Sequence, residues 1–294
     1  MDEQYRKGLR EILLCMAMWG VLPIYWKTLV PISSAVIIIY RMLLVFVFAL
    51  LFALRKYSLK EIFTPLKDVR KTGKFLLAGI VVTFNWSSYI WAVNSGHIIQ
   101  SSVGYYIEPM IVALFGMIFF HEKLTRYKTA ALLFALAALV IMLVHYGQLP
   151  TIALAIAGSF AVYSAIKKSV TEPPAVSLVY ETVFLAPIAL AIVIYLEVTG
   201  KGALSQGQPY QYALLMLCGL FTVLPLGLFA AAAQKIPMFT LGVAEYLSPT
   251  ISLLIGIFLY HEPMDRVQML SLAVIWVGLV FFSFGEFRES RSRA

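Results

Sequence analysis

Residues 33–54, SSAVIIIYRMLLVFVFALLFAL, run for 22 positions with a single charge, Arg41. At a helical rise of about 1.5 Å per residue, such a run crosses the roughly 30 Å hydrocarbon layer of a bilayer. Similar apolar stretches fall near 8–28, 75–93, 99–120, 128–146, 150–168, 176–198, 211–233, 239–260 and 267–287. Irregular backbone cannot face lipid, so the short loops must join packed helices. Composition agrees: 61% of the 294 residues are hydrophobic and only 13% are charged. Soluble domains carry about 25% charged residues, so this chain lacks the polar surface to cover a water-soluble globule of its length. The polar segments 55–74 and 199–210 are too short to be domains. The expected fold class is an all-α membrane protein with ten transmembrane helices, forming one domain over 1–294.

Lysine and arginine placement orients the spans. With the N-terminus inside, inner segments hold 19 of the 23 basic residues; outer segments hold three, Lys27, Lys201 and Arg266, and Arg41 lies within a span. Both termini are therefore expected in the cytoplasm. The formal charge of +8 does not mark a nucleic-acid partner, because the basic residues sit in short inter-span clusters rather than on one aromatic-interleaved face. Cys15 and Cys218 lie far apart in apolar runs and read as free, packed thiols. The first apolar stretch is followed by YWKTLV, without a small-residue cleavage site, so it is expected to remain as the first span.

A second pattern constrains the topology. YYIEPMIVALFGMIFFHEKLTR, residues 105–126, returns as EYLSPTISLLIGIFLYHEPMDR, residues 245–266. At this offset of 140, residues 101–126 match 241–266 at nine of 26 positions without a gap, including Tyr106/Tyr246, Pro109/Pro249, Gly116/Gly256 and His121-Glu122/His261-Glu262. The same offset pairs Lys27 with Lys167, Tyr40 with Tyr180 and Gly79 with Gly219. The repeats are expected to be 1–140 and 141–294, the second including a C-terminal tail. Five spans per half is an odd number, so the second copy must cross the membrane in the opposite sense. Two inverted five-helix repeats are a signature of secondary transporters, whose site lies between the halves near the midplane.

Such a site needs polar groups inside the bilayer. Glu108 lies about nine residues, or ~14 Å, from the outer end of its span, and Pro109 is expected to kink that helix. Arg41 lies at nearly the same depth, and an Arg41–Glu108 pair would explain how the membrane tolerates both, as a static pair or in a substrate or gating role. Glu245 lies three residues from Ser248, the repeat equivalent of Glu108; snorkelling to the cytoplasmic interface is the alternative. Glu181 occupies the repeat position of Arg41, and Lys167 ends the sixth span at comparable depth, so a structural Glu181–Lys167 pair is the simplest reading. Asn85, in mid-span, has Pro225 as its counterpart. Trp86, Tyr89, Tyr105, Tyr106 and Tyr246 line a cavity or serve as packing and interface anchors. His121-Glu122 and His261-Glu262 lie on opposite sides of the membrane and read as helix ends salt-bridged to Arg126 and Arg266, with no shared metal. There is no phosphate-cradling glycine loop with Lys-Ser/Thr, no nucleophile motif and no cofactor signature.

MWGVLPIYWK, YRMLL, NWSSYIWAVNSGHIIQSSVGYYIEPMIVALFGMIFFHEKL and GVAEYLSPT resemble the RarD-type proteins of the EamA branch of the drug/metabolite transporter superfamily. The resemblance covers nearly the whole chain and implies a bacterial inner-membrane permease, not an enzyme, that acts as monomer or homodimer on a small-molecule substrate. Family members of known fold place a central cavity among spans one, three, four, six, eight and nine. That nominates Trp19, Lys27, Asn85, Trp86, Tyr89, Tyr106, Tyr163 and Tyr246. Two departures stand out: Glu108 replaces the asparagine of the family's YFINP, and Glu245 replaces the glutamine of its QYIAP. Both place a carboxylate where an amide is usual, which favours a cationic or zwitterionic substrate or proton coupling. The resulting expectation is export of small metabolites or drugs by alternating access; the alternatives are a membrane-embedded enzyme and a non-transporting membrane sensor.

Overall fold

The computed structural model describes residues 3–94, 98–147, 151–261 and 266–292. Among them every regular element is helical: α1 Glu3–Thr28, α2 Ser34–Leu54, α3 Leu59–Phe63, a 3-10 turn Thr64–Lys67, α4 Val69–Asn94, α5 Ile98–Phe120, α6 Arg126–Tyr146, α7 Thr151–Ser169, α8 Pro174–Thr182, α9 Ala186–Val198, α10 Ala203–Gln206, α11 Pro209–Leu215, α12 Cys218–Ala233, α13 Met238–Glu245, α14 Leu247–Phe258 and α15 Arg266–Ser292. Every apolar stretch read from the sequence falls on one of these helices or on an interrupted pair. Five uninterrupted or nearly straight segments are long and apolar enough to cross a membrane, and a sixth is α8 with α9, which meet at a 59° bend.

The helix ends follow local chemistry. Asp68 starts α4 by accepting from the Arg70 and Lys71 amides at 3.0 and 3.3 Å, which satisfies donors that the first turn leaves unpaired. Thr125 caps α6 through the Lys128 amide, and Gly147 ends it in a left-handed turn with φ 62°. His121 and His261 end α5 and α14 with φ 52° and 51°, a conformation few non-glycine residues adopt. Within the polar segment 55–74, Ser58 and Glu61 form a reciprocal cap on α3, whose Ile62 carbonyl accepts from the buried Tyr180 hydroxyl at 2.5 Å.

Packing is reciprocal. α4 packs on α7 and α8, while α12 packs on α1 and α2; α5 packs on α7, while α14 packs on α1; α5 also crosses α13, and α6 lies along α15. The largest core gathers Cys15, Ala49, Phe75, Phe160, Tyr180, Phe229 and Leu241 with their neighbours. Three smaller clusters accompany it, one around Tyr106, Met142 and Tyr246, one around Leu29, Tyr40 and Cys218 and one around Ala113, Phe239 and Phe282. Cys15 and Cys218 are free and buried.

Close helix crossings depend on missing side chains. A Cβ at Gly79 would stand 2.0 Å from the Glu181 carbonyl oxygen, and one at Gly219 would stand 2.4 Å from the Leu44 backbone. Backbone cannot swing aside as a side-chain tip can. Gly79→Val and Gly219→Val are expected to destabilise the protein by about 3 kcal/mol each, whereas Gly227→Ala, with nothing within 4 Å, should leave the detergent melting temperature unchanged or slightly raised. Thermal melts of the three purified variants check this.

Candidate functional site

The crossing of α5 and α13 brings two acids into the interior. Gly242 permits it: a Cβ there would lie 2.6 Å from the Pro109 carbonyl oxygen. One turn further along, the Tyr246 hydroxyl donates to the Tyr106 carbonyl at 3.1 Å. Glu108, beside Pro109, is 8% exposed, and Glu245, beside Tyr246, is 4% exposed. Both Glu245 carboxyl oxygens are buried without a hydrogen-bond partner, and among the described residues neither acid joins an ion pair. Glu245 therefore does not snorkel to an interface.

Proline shapes this crossing differently on its two sides. Proline lacks an amide hydrogen, and its ring crowds the carbonyl four residues back. Pro249 thus acts on the Glu245 carbonyl, and the helix breaks there: α13 ends at Glu245 and α14 begins at Leu247. Pro109 acts on the Tyr105 carbonyl, yet α5 continues through it as one helix.

Arg41 does not reach Glu108. Its guanidinium lies 3.8 Å from the centroid of the Trp86 ring and 5.6 Å from that of Trp26, and its Nε is buried without a hydrogen-bond partner. Arginine's planar, weakly hydrated cation suits an aromatic face, and the attraction strengthens away from water. Helix placement explains the miss, since α2 packs mainly on α8, α9 and α12, while α5, which carries Glu108, packs mainly on α7 and α13.

The Lys167–Glu181 pair forms, at 2.5 Å, with Lys167 fully buried. Ser177 accepts from Lys167 at 2.6 Å and itself donates to Glu181 at 2.9 Å, and Tyr163 donates to Glu181 at 3.2 Å. Tyr163 is fully buried and stacks on Phe229 with centroids 6.1 Å apart, while Trp19 packs against Phe160 and Phe229. Tyr163 fills the core between helices, and Trp19 packs half-buried against it. Asn85 donates to the Ile156 carbonyl at 2.7 Å and to Ser159 at 3.1 Å, tying α4 to α7. Lys27 sits 3.4 Å from the Tyr260 ring centroid. Tyr89 and Tyr105 meet edge to face at 5.5 Å, and Tyr105 is 37% exposed between buried neighbours. A cleft of about 360 Å³ is bordered by Met42, Gly79, Trp86, Glu181 and Leu226. Among the described residues, no group of three His, Cys, Asp or Glu side chains could hold a metal ion.

Glu122 takes a role that adjacency in sequence does not reveal. Its carboxylate accepts from the Met238 and Phe239 amides at 2.6 and 2.8 Å, clasping the start of α13, and no described ion pair joins it to Arg126. The free amides after Pro237 are the only sequence signal for this bond, and they lie more than 110 positions away. Nearby, Lys168 donates to the Ile236 carbonyl at 2.7 Å and Lys235 pairs with Glu11 at 2.5 Å. Glu262, the repeat partner of Glu122, lies outside the described residues.

The EamA-like transporter family model matches this chain twice, over residues 6–144 and 149–284. The chain belongs to that family. It is 38% identical over 293 residues to an uncharacterized transporter, YojE, of Bacillus subtilis, covering 98% of this chain and 97% of that protein. It is 33% identical over 297 residues to protein RarD of Streptomyces exfoliatus, covering 100% and 93%, and 30% identical over 282 residues to RarD of Escherichia coli K12, covering 95% of each. A protein solved by crystallography shares the fold with TM-score 0.71 at 13% identity, over 93% of this chain and 96% of that one. This EamA family member is thus a RarD-type, multi-pass membrane transporter.

Within it, the Lys167–Glu181 network has a stability signature. Removing one member strands a buried charge, so Lys167→Met and Glu181→Gln should each cost about 3–5 kcal/mol. Combining Lys167→Met with Glu181→Leu should recover most of that loss. A double-mutant cycle of detergent melting curves measures the recovery.

Proposed function

We propose that this protein is a secondary transporter that exports small metabolites or drugs across the bacterial inner membrane by alternating access. Two inverted five-helix halves, 1–140 and 141–280, rock about a cavity near the midplane, with both termini in the cytoplasm and proton movement coupled to transport. Reciprocal packing is the observation that carries this reading. The α4–α8 contact through Gly79 has its counterpart, 140 residues on, in the α12–α2 contact through Gly219. The α5–α7 contact is matched by α14–α1, and the crossings α5–α13 and α6–α15 each join a helix to its own counterpart. Matched left-handed residues at His121 and His261 support the same relation. An inverted pair of halves has two equivalent ways to pack, and exchanging them moves the opening from one side to the other.

The structure fits one end of that cycle. With the N-terminus inside, the large core occupies the inner half of the bundle, and two of the three smaller clusters flank the outer half on separate sides. Tyr105, partly exposed, then lies in the outer half of α5. The Glu122 clasp, the Lys168 bond and the Lys235–Glu11 pair close the inner side.

Flux into proteoliposomes from a panel of metabolites and drugs, with and without a pH gradient, tests the function. Saturable, gradient-dependent movement of at least one compound above protein-free vesicles is expected. Its absence across the panel, with monodisperse protein, overturns the reading. The clasp makes a separate prediction: losing a carboxylate cap costs about 1 kcal/mol, so Glu122→Ala should populate the inner-open state about fivefold more. Cys15, buried in the inner core, reports this; in a Cys218→Ala background its alkylation should accelerate about fivefold. An unchanged rate would show that Glu122 only fixes the loop.

A further inference from the structure

Segment 55–74, which joins α2 to α4, holds seven lysines and arginines against two acids, Glu61 and Asp68. All seven cations are exposed. Both acids are taken up locally. Glu61 accepts from the Ser58 amide and hydroxyl at 2.7 and 2.8 Å, and Asp68 caps α4. Lys71 meets Glu172 at 3.2 Å, and none of the other six cations joins an ion pair among the described residues. The segment therefore presents a strongly positive face that the chain itself does not neutralise.

Neither the fold nor the orientation requires these charges. The stretch 140 positions on, 195–214, carries only Lys201 and Glu197, yet both stretches are tethered in a matching way. Tyr180 donates to the Ile62 carbonyl at 2.5 Å. Tyr40, 140 positions before it, donates to the Glu197 carboxylate at 2.5 Å, which also accepts from the Ala203 amide at 2.7 Å. As for orientation, twelve of the nineteen inner cations lie outside this segment and already outnumber the outer three. Arg70, Lys71 and Lys74 even stand in the first two turns of α4, where the positive end of the helix dipole repels them. A local cost without a return inside the chain points to a contact outside it.

We propose that segment 55–74 is a docking surface for anionic lipid headgroups of the leaflet it meets, the inner one in the orientation given above. Headgroup phosphates accept strong, charge-assisted hydrogen bonds from ammonium and guanidinium groups. Leu59 and Val69 stand among the cations and are 55% and 83% exposed. Basic and apolar side chains interleaved in this way belong at the boundary between headgroups and acyl chains. An acidic protein would match the cations but leave both apolar side chains in water. The surface is also held in place. Ile62 is fully buried beneath it and bonded to Tyr180 of α8, and Lys71 joins it to Glu172, just before α8. Lipid bound here braces the first half of the chain against the start of α8.

The test uses the full-length protein in detergent, with native mass spectrometry counting bound dioleoylphosphatidylglycerol or dioleoylphosphatidylcholine in separate titrations. The parent is expected to bind the anionic lipid about tenfold more tightly than the zwitterionic one, a preference that falls as salt rises. Replacing Lys56, Lys60, Lys67 and Arg70 together by glutamine should cut the preference to about twofold. Replacing four exposed cations elsewhere, Lys7, Arg10, Lys123 and Arg126, by glutamine should leave it unchanged. An equal loss in both quartets shows that net charge alone attracts the lipid and overturns this segment as the surface. Displacement of the bound lipid by inorganic phosphate or by polyglutamate removes lipid as the occupant. A parent with no preference between the two lipids overturns the proposal whether or not any variant folds. Flux enters none of these measurements, so the outcome is independent of the transport reading.

Discussion

The cost of placing charge inside an apolar slab governs this architecture. Water cannot reach the interior groups, so each ionisable side chain must find compensation within reach of its own helix. Three solutions coexist. The Lys167–Glu181–Ser177–Tyr163 network saturates its members with hydrogen bonds and is best understood as a rivet between α7 and α8. Arg41 uses the faces of Trp86 and Trp26, which attract the cation without fixing its donors. Glu108 and Glu245 use neither device among the described residues. A rivet is costly to break and suits a part that stays closed. An arginine on a ring face, or an acid without a partner, can change occupant cheaply.

The backbone makes these placements possible. Gly79 and Gly219 bring helix axes together at positions 140 apart, where any side chain would strike backbone. In a bilayer, such small-residue contacts replace the hydrophobic driving force that packs soluble helices. Proline then sets where the packed helices give way. Pro249 breaks the chain between α13 and α14, whereas the matching Pro109 leaves α5 whole. The interruptions at α8/α9, α11/α12 and α13/α14 all fall in the second half of the chain.

Much of this was legible in the sequence, for definite reasons. Apolar length located the helices because a bilayer demands it, and each boundary moved by only a few residues. Lys167 and Glu181 could be paired because they end consecutive spans joined by a short loop, which fixes their distance. Arg41 and Glu108 could not be paired by depth alone. Depth constrains one coordinate, while the rotation of each helix and its choice of neighbour set the other two. The Glu122 clasp was hidden for a related reason: its partners are backbone amides, which carry no residue-type signal. Tyr163, nominated through family resemblance, is fully buried in the core and Trp19 packs half-buried against it, since a shared span does not fix which face a residue presents.

The proposed duplication also explains how one scaffold holds an asymmetric site. At the 140-residue offset, Arg41 corresponds to Glu181, Asn85 to Pro225, Tyr105 to Glu245 and Glu108 to Ser248. Structural positions keep their residues, as with Gly79/Gly219 and Tyr106/Tyr246, because both copies need the same close approach. Interior polar positions diverge in charge. The two buried acids are therefore not repeat equivalents: Glu108 corresponds to Ser248 and Glu245 to Tyr105. An exchange between the two packings would move Glu245 and Glu108 through different environments, since only α13 is jointed beside its acid. In the proposed cycle, equivalent halves would give the two states comparable energy, and the diverged interior residues would bias one over the other. The duplication would supply the motion, and the sequence differences between the halves would supply its direction.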